Sequence, residues 1–176
     1  MFNFHEPTYI NNKKPIYPKK DRNNFKNDIY ILRVWQSNCD GHTRGFPSRD
    51  IAIRGNANLD KLAETIVAVF DFYFDHMYEF FNNIKSNEIT EKYTMYFEDE
   101  EYDKNKSYTE NIIISQVFKK NKKMIFLFDY GDMWHFVIKC IEVRKPKSGE
   151  NRFPYAYNIK GEAFKQYPDL DYNENH

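Results

Sequence analysis

The sequence predicts an α+β fold in which a mixed, mostly antiparallel sheet packs against one main helix, an arrangement open to a β-grasp-like topology. Three features carry that expectation. An apolar alternation of period two begins at Ile29, an amphipathic helix pattern spans 58–70, and two strongly apolar strand-like runs flank a tight turn at 129–132. With 176 residues, 41% of them hydrophobic and 18% aromatic, the chain has the apolar surface for one sizeable core, so a single domain is expected over 29–170.

Taken in order, residues 1–28 are rich in Asn, Lys and Pro and carry six basic against three acidic side chains. Pro7, Pro15 and Pro18 block regular structure there, so an extended basic arm is expected. Ile29, Ile31, Arg33 and Trp35 then alternate with Tyr30, Leu32 and Val34, apolar on most of both faces, which describes a strand inside a sheet. After the polar, glycine-containing stretch 37–48, Ile51 and Ile53 restore the alternation, making a hairpin with a long loop. Asn58 is a good N-cap, Asp60 suits the positive end of the helix dipole, and Leu59, Leu62, Ile66, Val69 and Phe70 recur at helical spacing. The aromatic run 71–81 lacks that spacing and suggests a turn followed by a strand over 76–81. Residues 88–110 carry eight acidic and three basic side chains around several tyrosines, as a strand running into an acidic loop would. The run 111–118 is too short to separate strand from helical turn. Residues 123–128 (KMIFLF) and 134–143 (WHFVIKCIEV) form the strongest strand pair, joined by the DYGD turn. Beyond Val143 the pattern reads as a basic tail punctuated by Pro and Gly, with 171–176 as an acidic terminus.

Lys plus Arg and Asp plus Glu each number 26, so no global field draws the chain to nucleic acid or to an anionic membrane. Cys39 and Cys140 lie far apart, the second inside an apolar alternation, which fits two reduced structural thiols better than a disulfide framework. Neither a signal-peptide pattern nor an uninterrupted apolar run of about 18 residues occurs, so a soluble, cytoplasmic protein without a membrane span is expected. GxSxG, HExxH, paired CxxC and glycine-rich phosphate loops are missing, which weakens the case for an enzyme. No cofactor is expected.

Three segments, NLDKL at 58–62, DHMYEF at 75–80 and FLFDYGDMW at 126–134, resemble in order and spacing the plasmid pRiA4b ORF-3-like family. That family shows an L-x-x-L helix start, an H-L-x-E-F segment and a Y-D-F-G-D-x-W hairpin. The matching positions are His76, Glu79, Phe80, Asp129, Gly131, Asp132 and Trp134, and the closing segment FPYAYNIKGEAFKQYPD extends the resemblance to about residue 170. Two positions depart from the pattern. Phe136 stands where members commonly have a His, with His135 one residue early and on the opposite strand face, and the C-terminal segment lacks the flanking glycines and the cysteine. The resemblance implies a compact α+β fold, an association with plasmids and mobile elements, and a biochemical role that the family itself leaves undefined.

The residues offer three kinds of function. His76, Asp129 and Asp132 are candidate catalytic groups: two carboxylates three apart at a hairpin tip suit a divalent cation, and a histidine beside them suits a general base. The same DYGD residues are ordinary turn formers, with Asp bonding its own backbone and Gly131 expected to supply a positive φ, so no metal is required. His76 and Glu79 would point to opposite faces of a regular strand, and Trp134 is expected in the core. The aromatic run from Phe70 to Phe81 is interleaved with Asp71, Asp75 and Glu79, which repel phosphates, so packing in a core or a dimer is favoured over base stacking. Lys119, Lys120, Lys122 and Lys123 are the better candidates for nucleic-acid contact, although such runs are commonly only solvated surface. The leading expectation is a non-enzymatic interaction module of plasmid or mobile-element biology, taking a protein partner, nucleic acid or a second copy of itself. A metal-dependent hydrolase or nuclease, and a nucleic-acid-binding protein, are the alternatives.

Overall fold

A computed structural model of the chain describes residues 27–97 and 101–167. The expected arm, apart from Asn27 and Asp28, and the acidic terminus lie outside the described residues. Asp28 is buried and ion-paired with Lys145, and its carbonyl accepts from Gly55, so the folded part begins at least this early.

Among the described residues seven strands form one sheet: β1 (Ile29–Ser37), β2 (Ser48–Arg54), β3 (Tyr78–Phe81), β4 (Lys92–Thr94), β5 (Lys123–Phe128), β6 (Trp134–Arg144) and β7 (Tyr155–Lys160). Their spatial order is β4-β3-β5-β6-β1-β2-β7. Every pairing between them is antiparallel. Among the described residues the mixed component expected from the sequence reduces to one isolated parallel bridge, Thr94 with Tyr108, beside the β4 edge. β1 and β6 lie at the centre and are apolar on both faces, as strands covered on both sides must be.

Helix α1 (Leu59–Val69) crosses one face of the sheet. Asn58 caps it by accepting from the Lys61 amide at 2.9 Å, and Asp60 occupies the first turn. Leu59, Leu62, Ile66, Val67 and Phe70 are essentially inaccessible and join Leu32, Ile51, Phe80, Phe126, Phe136 and Ile138 in the main core. Burying each of these large side chains contributes about 1.5–3 kcal/mol relative to exposure. The 111–118 ambiguity resolves to a helical turn, α2 (Ile114–Val117), because Ile114 and Val117 drop into this same core while Gln116 accepts from the Ile113 amide.

The second sheet face is covered in two places. Loop residues Ile84 and Ile89 sit over Phe81, Ile125, Leu127 and Val137, and Phe153 sits beside Ile29, Ile31 and Ala52. The supposed tail thus contributes both a cover and a strand. β7 pairs with β2, and its register slips where Arg49 faces both Asn158 and Ile159, with Asn158 in the left-handed region at φ 49° and donating to Asp50.

Candidate functional site

The chemistry-bearing end of the molecule is built where β5 stops and β3 starts. The Asp129 amide donates to the Met77 carbonyl at 2.9 Å, which fixes the DYGD turn against the segment 73–77. That segment is not a strand. The regular ladder begins only at Tyr78, because residues 75 and 76 are committed to side-chain bonds across the turn.

Asp129 organises the turn. It is buried, stands at φ 62°, and its Oδ1 accepts from the amides of Gly131 at 2.7 Å and Asp132 at 3.3 Å. The positive φ values here belong to Asp129 and Met133, not to Gly131 as the sequence suggested. Gly131 relieves crowding instead: a Cβ there would stand 3.1 Å from Asp129 Oδ1, the atom that holds the turn closed, and would press on it.

His76 lies between two carboxylates, with Nδ1 2.6 Å from Asp75 Oδ1 and Nε2 3.5 Å from Asp129 Oδ2. Its hydrogen bond with Asp75 raises its pKa above the ordinary histidine value, and the charges of Asp129, Asp75 and Asp132 add to the rise. Desolvation pushes Asp75 upward, but donors from His76, Tyr167 and Gln166 outweigh it and hold the carboxyl below its usual range. Gln166 is buried, with Oε1 accepting from the Tyr73 amide at 2.6 Å and Nε2 donating to the Tyr73 carbonyl, so the C-terminal segment straps the 73–75 turn in place.

The predicted residues separate into those that meet and those that do not. His76 and Asp129 are in contact; Asp132 is exposed, reaching Asp129 through its own amide and His76 through its charge. Among the described residues no three His, Cys, Asp or Glu side chains stand close enough to hold a metal ion. Glu79 projects to the other sheet face, where it pairs with Lys92 at 2.6 Å and accepts from Tyr130, while Phe80 is fully in the core. Trp134 packs edge-on against Phe72 at 4.9 Å, and its buried Nε1 has no hydrogen-bond partner. His135 points away from Phe136, as expected, and bonds the Met133 carbonyl through Nδ1. Of the basic run, Lys122 is consumed by an ion pair with Glu91 at 2.6 Å, whereas Lys119, Lys120 and Lys123 are exposed near the opposite end of β5 from His76. Asp75, Gln166 and Tyr167 belong to the network without having been singled out from sequence. The aromatic run also divides, with Phe70, Phe72 and Phe80 buried but Tyr73 and Phe74 exposed, and Phe74 stacks on Phe128 at 6.2 Å.

A family model described as plasmid pRiA4b ORF-3-like protein matches residues 47–170. A crystal structure of a protein of unknown function, MM3350 from Methanosarcina mazei Go1, is similar with a TM-score of 0.63 and 21% identity, covering 78% of this chain and 71% of that one. At that identity the likeness speaks for the fold alone. A search of curated proteins finds no match.

Proposed function

The chain belongs to the plasmid pRiA4b ORF-3-like family, and from that premise we propose that residues 29–170 act as one non-enzymatic interaction module in plasmid or mobile-element biology, binding a protein partner at the His76 end. One observation carries the proposal: Tyr73, Phe74, Met77, Met133 and Tyr167, all at least 38% exposed, surround the Asp75–His76–Asp129 network. Large apolar side chains gathered in this way are the usual mark of a binding surface. Asp71, Asp75 and Asp132 lie exposed among them, so the fitting partner is a protein segment that is apolar and cationic.

The network itself favours binding over catalysis. Both nitrogens of the His76 imidazole already face carboxylates, Asp75 and Asp129, so neither is turned toward a substrate proton, and those carboxylates shift the ring toward its charged form. Its role is to lock the turn that presents the apolar rim.

Two measurements test the proposal. A photo-crosslinking residue placed at 73 or 133 is expected to give one discrete protein adduct in the native host, in a yield that falls with salt, while position 102, whose exposure lies between theirs, gives none. Adducts of equal yield at 102, or none at 73 and 133, would refute the surface. In the second, manganese or magnesium leaves the melting temperature unchanged. A metal-dependent rise that disappears in Asp129→Asn would favour the hydrolase alternative, because an ion bound only by the folded state must stabilise it.

A further inference from the structure

The open sheet face carries a row of cations that packing does not explain. Lys123 on β5 pairs in register with Lys139 on β6, and Lys139 with Arg33 on β1, so the three side chains leave the same face on adjacent strands. Arg33 is satisfied, because Asp50 on β2 takes it through two bonds of 2.6 and 2.8 Å. Lys123 and Lys139 have no partner among the described residues. Like charges directly opposite each other destabilise a sheet, so the ammonium groups of this pair disfavour the fold, although the half-buried Lys139 still packs its stem on the sheet. Lys119 and Lys120 lie exposed in the turn leading into β5 and extend the basic area.

Aromatic rings flank this row on the same face. Asp50 pairs in register with Tyr157 on β7, and Tyr155 follows two residues along with its ring centroid 5.8 Å from that of Tyr157; both are exposed. On β1 the half-buried Trp35 follows Arg33, whose guanidinium lies 6.0 Å from the ring. The exposed Glu142 sits further along β6, on the row that runs through Ile31 and Ala52 to Tyr155, whose hydroxyl donates to Glu150 at 2.8 Å, so these two carboxylates gather at the Tyr155 end, away from the two lysines.

We infer that this face binds single-stranded nucleic acid, with Lys123 and Lys139 taking phosphates and Tyr157 and Trp35, the rings nearest them along the sheet, offering surfaces to unpaired bases. Unpartnered ammonium groups supply charge complementarity to a phosphate backbone, and sheet-borne aromatics are sequence-tolerant stacking platforms. A duplex hides its base faces and would use only the lysines. The site is on a different surface from the His76 end, so either assignment can fail alone.

Fluorescence anisotropy decides it, using a labelled single-stranded oligonucleotide of about 12 nucleotides, within the roughly 4–16 that such platforms cover. Saturable binding is expected at low salt. Because each phosphate contact adds about 0.7 to the salt slope, Lys123→Gln/Lys139→Gln should flatten that slope by about 1.4. Tyr157→Ala should weaken binding about tenfold at every salt concentration with the slope unchanged, as loss of one stacked base would. Lys61→Gln, on the outer helix, should bind like wild type. The lysine variant is expected to melt at the same temperature or higher, so its weaker binding would not reflect unfolding. No binding by wild type at low salt, an unchanged slope in the double variant, or equal affinity for a duplex would each overturn the assignment.

Discussion

At Asp129 one side chain does three things: it tolerates the left-handed backbone, accepts the two amides that close the turn, and faces the His76 imidazole. Asparagine keeps the first two roles and alanine keeps none. Asp129→Ala should therefore cost about 1–3 kcal/mol in urea unfolding, with Asp129→Asn losing clearly less; equal losses would mean that charge alone matters. His76 sets a pH dependence whose sign follows from its raised pKa. The unfolded imidazole titrates near about 6.5, so the stabilisation from its ion pairs is complete below that pH and is lost as pH rises through the higher folded value. The stability gap between wild type and His76→Gln is accordingly expected to narrow as pH rises from slightly acid to alkaline. A gap that widened would contradict the arrangement.

Among the elements, α1 was the most legible, since its cap, its first-turn carboxylate and its apolar stripe are all local signals. Asn58→Ala should lower stability by about 1 kcal/mol, within the roughly 0.5–2 typical of a lost N-cap, and thermal or urea unfolding measures it directly. Asp60 adds a tertiary bond that no local pattern announces, accepting from the Tyr78 hydroxyl at 2.7 Å and so tying the helix start to β3. The antiparallel hairpins were readable from alternation, and the His76–Asp129 meeting from their shared position at strand ends. β7 was not. Its side chains are exposed on nearly every position, so burial writes no period into YAYNIK, and Pro154 and Gly161 at its ends look like loop punctuation. Gln166 and Tyr167 escaped for a different reason: their partners are more than 90 residues away, at Tyr73 and Asp75, and single polar residues leave no spacing to detect.

For the molecule as a whole, the two cysteines report on global opening. Cys39 is exposed, whereas Cys140 lies in the core, where burial pushes its thiol up to about 12. A thiol reagent should therefore label one cysteine in the native protein and the second only with the rate of unfolding; prompt labelling of both would mean that β6 opens locally. The sheet also has two rims. One, at β4, is bridged by Tyr108; the other, at β7, is interrupted by the kink at Asn158. An uninterrupted rim carrying Tyr155, Tyr157 and Ile159 would be a template on which identical chains could stack without limit. Excising Asn158 alone is expected to straighten that border and to raise thioflavin-positive fibril formation above that of the wild type, and an unchanged signal would mean that the kink does not guard this rim.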